Sequence, residues 1–407
     1  MKRAVIIGAG FSGMCSAYYL SRAGFQVEVF EKSGGPGGLI KTIQTPHGLS
    51  EIAANGILNS ATFEEMAQQI KLELVSTLKS SKRRYIYRGR PRRWPLGFFE
   101  TLIFFWKFAS CKNKSPKEYE TVYEWGHRVL GQPATEFILS PALHGIYAGD
   151  LKRLSAHLIL SRFFKKKLKR SKPKLRGLVA PPLGMGEFFI KMENYLRAKN
   201  VTFNYETEFN FLNRDLCTVF VVATSARACG KILEPLSEKL AHILSNVEML
   251  SLIKANFFYH AHPRKYSGFG ILFPQNQGIR SLGVLFNDLI FQSVSVSESY
   301  ILGGANDSKA MSLSDQALSQ SVSRDRDIVL NDKSNPVGHY IQRWPETLPH
   351  YTVTLEKDLR IVEGERRSLE KQKIFIMGNF LGGIGLSQIL DQASMLASRV
   401  LEVENGR

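Results

Sequence analysis

Cysteine is scarce. The 407 residues hold four, Cys15, Cys111, Cys217 and Cys229, far apart and without a CxxC pair. That excludes a zinc-finger reading and gives no support for a secreted disulfide scaffold. Acidic side chains are also short in number. Lys plus Arg is 54 against 36 for Asp plus Glu, a formal net charge of +18. Such a chain is drawn to polyanions: nucleic acid, anionic lipid or an acidic ligand. A spanning helix needs about 20 mostly apolar residues, and no stretch qualifies. The closest, residues 96–109, is interrupted by Glu100 and Lys107. The apolar start of the chain breaks at Gly8, Gly10 and Gly13, too early for a signal peptide. The expectation is a soluble or peripheral protein, cytoplasmic if bacterial. There is no Ser-His-Asp set, no paired acid–base carboxylates and no metal-ligand spacing. No catalytic side chain and no metal ligand is therefore assigned. His144, His157, His260 and His262 read as structural or exposed. Apolar residues at 44% and charged residues at 22% are ordinary for a globular chain of two or three domains.

What is abundant is glycine in clusters. Val5-Ile6-Ile7 reads as a strand running into Gly8-Ala9-Gly10-Phe11-Ser12-Gly13, a GxGxxG, and then a helix. The first glycine permits a tight turn, the second lets a pyrophosphate approach the backbone, and the third lets helix and strand pack closely. The helix N-terminus offers free amides and a positive dipole end to phosphates. A second strand, Val27-Glu28-Val29-Phe30, ends in Glu31, placed to accept ribose hydroxyls. A further cluster follows at Gly34, Gly35, Gly37 and Gly38, and another at 378–385 after an apolar strand at 373–377. Between them, residues 80–180 are aromatic, basic and mostly helical in character. Strand-like runs stand at 201–205, 218–223, 281–286 and 300–304, a helical one at 188–199. Residues 293–324 are serine-rich and read as partly loop.

The stretch from Glu31 through Lys32, Gly37 and Gly38 to Thr42 resembles the second glycine motif of FAD enzymes of the amine-oxidase and phytoene-desaturase superfamily. Residues 51–57, with Ala54, Asn55, Gly56 and Ile57, resemble the segment beside the flavin there. Gly378, Ile384, Gly385 and Leu386 fall in a stretch resembling the one whose helix N-terminus faces the flavin's pyrimidine edge. Within that superfamily, Tyr147-Ala148-Gly149-Asp150 followed by Leu154-Ser155 resembles a signature of protoporphyrinogen oxidases. Gly184-Met185-Gly186, 268–274, 281–286 and Arg343-Trp344-Pro345 with 348–351 match in order. Three features depart from the pattern: the chain is short, Ser225 stands where proline is usual, and Asn287-Asp288-Leu289 replaces a small, polar stretch.

The resemblance implies an α/β fold: a discontinuous Rossmann-like FAD-binding domain, a β-rich substrate domain and a helical insert. The expected division is FAD-binding at 1–78, 181–235 and 366–407, the insert at 79–180, and the substrate domain at 236–365. FAD would be held by Gly8 to Gly13, Glu31, Lys32, Gly37, Gly38, Ala54 to Ile57, Trp344, Gly378 and Ile384 to Leu386. The implied reaction is oxidation of protoporphyrinogen IX in three two-electron hydride transfers to flavin N5, with molecular oxygen as final acceptor. Coproporphyrinogen, an amine or a polyene is the alternative substrate. Arg84, in Arg84-Tyr85-Ile86-Tyr87, matches an arginine that pairs with a propionate. The basic run 162–176, with nine Lys and Arg, reads as contact with an anionic membrane surface or as a solvated surface stretch, and the aromatic stretch 96–107 as an interfacial segment or as core. A homodimer is compatible with the sequence. No nucleic-acid module accompanies the charge, so no nucleic-acid partner is assigned.

Overall fold

The computed structural model describes residues 2–164, 171–209, 218–260, 265–293 and 295–404. Two large sheets organise them. The first has five parallel strands in the order Thr202–Asn204, Gln26–Phe30, Arg3–Ile7, Thr218–Val222, Ile374–Ile376. The chain returns to this sheet from three distant segments, as a discontinuous Rossmann-like fold requires.

Its sequences explain its place. Along the first strand, Ala4 and Ile6 enter one hydrophobic core and Val5 and Ile7 another. Successive strand side chains point to opposite faces, so a run apolar at every position must be covered on both sides. Helices Phe11–Arg22, Gly186–Arg197 and Leu386–Glu404 supply one cover. Helices Val122–Val129, Ala226–Leu233, Glu238–Ser245 and Val353–Lys371 supply the other. Ser225 proves useful as serine: its hydroxyl caps the Ala226–Leu233 helix by accepting the Ala228 amide. Proline could not do this.

The second sheet has seven strands. Their order is Gly338–Pro349, Met249–Tyr259, Val296–Gly303, Gly283–Phe286, Gly270–Leu272, Arg84–Tyr87, Pro91–Arg92. Pairing is antiparallel except between Gly270–Leu272 and Arg84–Tyr87. One sequence expectation is corrected here. Residues 84–92, read as part of a helical insert, extend this sheet. The serine-rich stretch 293–324 contains a strand, Val296–Gly303, and most of a helix, Asp315–Leu330. That helix buries Leu318, Val322, Asp325, Arg326 and Val329 on one face, and its serines mostly occupy the others.

The segment between the sheets' contributions is mainly helical from Phe98 to Leu160. Its first helix, Phe98–Ser110, has no buried residue. Phe98 is 74% exposed, Phe99 77% and Trp106 65%. One clamp fixes it. Arg88, on the edge of the seven-stranded sheet, pairs through both guanidinium nitrogens with Glu100 and stacks 3.7 Å from the Phe137 ring centre. Glu100 also accepts the Gly97 amide that opens the helix. The Arg88 guanidinium holds the Glu100 carboxyl down to about 2, so the clamp stays ionised at neutral pH.

Candidate functional site

The glycine units come together at the C-terminal edge of the five-stranded sheet, the edge at which parallel α/β sheets bind ligands. The first strand ends at Ile7 and turns through Gly8, whose φ of +102° favours glycine. A Cβ on Gly13 would lie 1.8 Å from the Gly8 carbonyl oxygen. Helix and strand can approach this closely only because Gly13 is bare; a Cβ on Gly8 would instead lie 2.6 Å from the Ala223 carbonyl oxygen. Gly10 is different. Nothing stands within 4 Å of where its Cβ would project. It caps helix Phe11–Arg22 without any side-chain bond, leaving the first-turn amides without helical partners. A cradle open at one glycine, and closed behind it by two others, fits the pyrophosphate of a dinucleotide.

The second glycine cluster folds onto the first. The Gly37 amide donates to the Ala9 carbonyl at 3.0 Å, and a Cβ on Gly38 would lie 3.2 Å from the Gly10 Cα. Glu31 ties the two. Its carboxylate accepts the Ala9 amide at 2.8 Å, the Ser33 amide at 2.9 Å and the Ser33 hydroxyl at 2.7 Å. A carboxylate has about four acceptor sites, so one remains for a ribose hydroxyl. Lys32 is exposed. Ala9 and Phe11 bury their side chains, Phe11 against Phe188, so backbone is what these two present. These residues fit FAD.

Segment 51–57 is fastened to the seven-stranded sheet on one side and to the start of helix Gly186–Arg197 on the other. The Trp344 indole donates to the Ile52 carbonyl at 2.7 Å. The Lys254 ammonium donates to the Ala53 carbonyl at 2.8 Å and to the Asn55 side-chain oxygen. The Asn55 amide in turn donates to Asn287 at 2.8 Å, giving that departure from the family pattern a structural role. On the other side, Glu51 accepts the Met185 amide at 2.7 Å and the Thr42 hydroxyl at 2.9 Å. Burial pushes the Glu51 carboxyl up and the Lys254 ammonium down, while each opposes the shift in the other. Ile57 is 1% exposed and packs in the core, leaving only its backbone to a cofactor. Lys254 and Glu51 carry much of this geometry. Sequence reading missed Lys254; a lone lysine in an apolar strand at 249–259 is its only signal.

The third unit, loop 377–385, follows strand Ile374–Ile376 and opens helix Leu386–Glu404. It holds Gly378, Ile384 and Gly385, with Leu386 the first helical residue. Arg84 lies apart from the glycine units. It is exposed on strand Arg84–Tyr87, its guanidinium 4.9 Å from the Phe269 ring centre. His144 is buried against Ser140 and Gln275, and burial pushes it down to about 4. His262 and Lys165 to Arg170 lie outside the described residues.

Known proteins match this chain along nearly its whole length. The chloroplastic protoporphyrinogen oxidase of Nicotiana tabacum is 23% identical, over 97% of this chain and 85% of that protein. The coproporphyrinogen III oxidase of Bacillus subtilis (strain 168) is 20% identical, over 98% of both. Cyclohexylamine oxidase from Brevibacterium oxydans IH-35A superposes with a TM-score of 0.71 over 100% of each chain at 15% identity, a likeness of fold. Residues 11–374 match the family described as flavin containing amine oxidoreductase, and the chain belongs to that family of FAD-dependent oxidoreductases.

Proposed function

We propose that the protein oxidises a porphyrinogen, protoporphyrinogen IX to protoporphyrin IX, in heme biosynthesis. The observation that carries this is the likeness to porphyrinogen oxidases over 97% of the chain. The Tyr147-Ala148-Gly149-Asp150 turn adds to it. There Ala148 ends a helix at φ +49°, and a Cβ on Gly149 would lie 2.9 Å from the His350 ring. Coproporphyrinogen is the second reading, favoured by the match to the Bacillus protein.

Bound FAD would supply the two-electron oxidation, repeated three times per porphyrinogen, with molecular oxygen as the final acceptor. The chain's own residues bind and orient. Gly10 and the first-turn amides would hold the pyrophosphate, Glu31 the ribose, and segment 54–57 with Trp344, loop 377–385 and Leu386 the ring system. Lys254 and Trp344 keep that segment in place through carbonyl oxygens of Ile52 and Ala53. The reading is tested by mixing purified holoprotein with protoporphyrinogen or coproporphyrinogen under air. Porphyrin fluorescence should grow with the first in preference to the second. No fluorescence with either, and oxidation of an amine instead, would sink the proposal.

Arg84 is proposed to hold a substrate propionate. A charge-assisted pair contributes about 1.5–3 kcal/mol. Arg84→Ala should then raise KM by about ten- to a hundredfold while flavin content stays the same. An unchanged KM removes Arg84 from the site.

We also propose a peripheral association with an anionic membrane surface, on the cytoplasmic side. Among the described residues no helix is long and apolar enough to cross a membrane. The exposed helix Phe98–Ser110 would enter the interface, with the basic run 162–176 beside the headgroups. A homodimer is the remaining proposed assembly; sedimentation of the holoprotein in detergent-free buffer tests it.

A further inference from the structure

The Tyr351 hydroxyl sits inside the molecule, at the meeting of four chain segments. Its side chain belongs to a residue 1% exposed. The phenol donates to the Asn379 carbonyl and accepts the Gly383 amide at 2.8 Å. One hydroxyl therefore straddles loop 377–385, gripping it at two points four residues apart. The Gln388 side chain packs against the loop as well. Gly383 has φ +141°, and a Cβ there would lie 2.4 Å from the Gln388 side-chain oxygen. Gln388 itself accepts the Gly385 amide at 3.3 Å at the start of the closing helix.

Tyr351 is also held from behind. Its ring meets the Tyr147 ring at 5.6 Å, edge to face. Its carbonyl accepts the Ser155 amide at 2.8 Å. His350, just before it, pairs with Glu248 at 3.0 Å, and Thr352, just after it, caps helix Val353–Lys371. The phenol thus cannot drift with the loop; the loop must follow the phenol. Burial pushes the phenol's ionisation up, so it remains a donor at neutral pH.

We propose that Tyr351 is a positioning residue for the flavin, setting loop 377–385 so that its amides and the N-terminus of helix Leu386–Glu404 face the flavin's pyrimidine edge. The inference rests on the proposed placement of the flavin against that loop. Correctly aimed amides and the helix dipole stabilise negative charge on the ring system. A loop released from the phenol gives less of that stabilisation.

The test uses full-length protein and Tyr351→Phe, which keeps the ring and removes only the hydroxyl. Tyr147→Phe is the control, since it sits in the same ring contact but has no bond to the loop among the described residues. Tyr351→Phe should bind FAD about three- to tenfold more weakly than wild type. The flavin midpoint potential should fall, and Tyr147→Phe should match wild type in both. Wild-type FAD affinity and potential in Tyr351→Phe, with only a lower melting temperature, would make the residue merely structural. Should Tyr351→Phe fail to fold, amide exchange in the wild type decides. Slow exchange at Gly383 supports the grip, and exchange at the rate of an open loop overturns it. A wild type that binds no FAD overturns the cofactor placement first, and is told apart from the failure of this inference by that alone.

Discussion

Gly10→Val is expected to give a folded protein that carries no flavin. The position has φ −71°, which valine adopts without strain, and open space where the Cβ would go. The protein itself therefore has little to lose: about 1 kcal/mol at a helix cap. The cofactor has much to lose, because two methyl groups would stand where the pyrophosphate meets the backbone. Gly13→Ala should do the reverse. Its Cβ would lie 1.8 Å from the Gly8 carbonyl oxygen, a backbone atom that cannot swing aside. Strand and helix must separate, and thermal stability should drop sharply before cofactor binding is even at issue. Absorbance in the flavin band and a melting curve on each variant read the two effects. Full flavin content in Gly10→Val would refute the placement of the pyrophosphate.

The second large effect is expected at the membrane. Helix Phe98–Ser110 buries none of its thirteen residues. Fully burying one large apolar side chain is worth about 1.5–3 kcal/mol, so even partial insertion of four aromatics outweighs the attraction of a single basic residue, about 1 kcal/mol near an anionic surface. Wild-type protein should pellet with anionic vesicles and be released only in part by high salt, because salt screens charge but not insertion. Replacing Phe98, Phe99, Phe105 and Trp106 together by serine should abolish the salt-resistant fraction and weaken binding at least about a hundredfold. The fold should survive, since these side chains are exposed and the Arg88–Glu100 clamp is untouched. Exchanging Lys165, Lys166, Lys167 and Lys169 for glutamine should remove only the salt-sensitive part. Wild type that ignores anionic vesicles at low salt would show the helix to be covered by something other than lipid.

Chain chemistry alone determined the glycine turn that opens the five-stranded sheet's first helix. A tight turn, a bare approach and a close helix–strand crossing each demand glycine, and these demands act within a few residues, so Gly8, Gly10 and Gly13 announce themselves. The parallel strands are equally legible, because burial on both faces leaves an unbroken apolar run such as Ala4-Val5-Ile6-Ile7. Other features depend on which distant residues meet, and no local pattern encodes that. The strand at 84–87 looks like part of a basic insert until Gly270–Leu272 is found beside it. The aromatic helix reads equally as core or as surface, since apolar residues all round it leave no polar face to mark solvent. Lys254 becomes a clamp on segment 51–57 only when residues some 200 positions apart come together. The reach of the Tyr351 hydroxyl to Asn379 and Gly383 was decided in the same way, by the packing of three segments around one buried ring, where the cost of leaving a polar group unpaired fixes the partner.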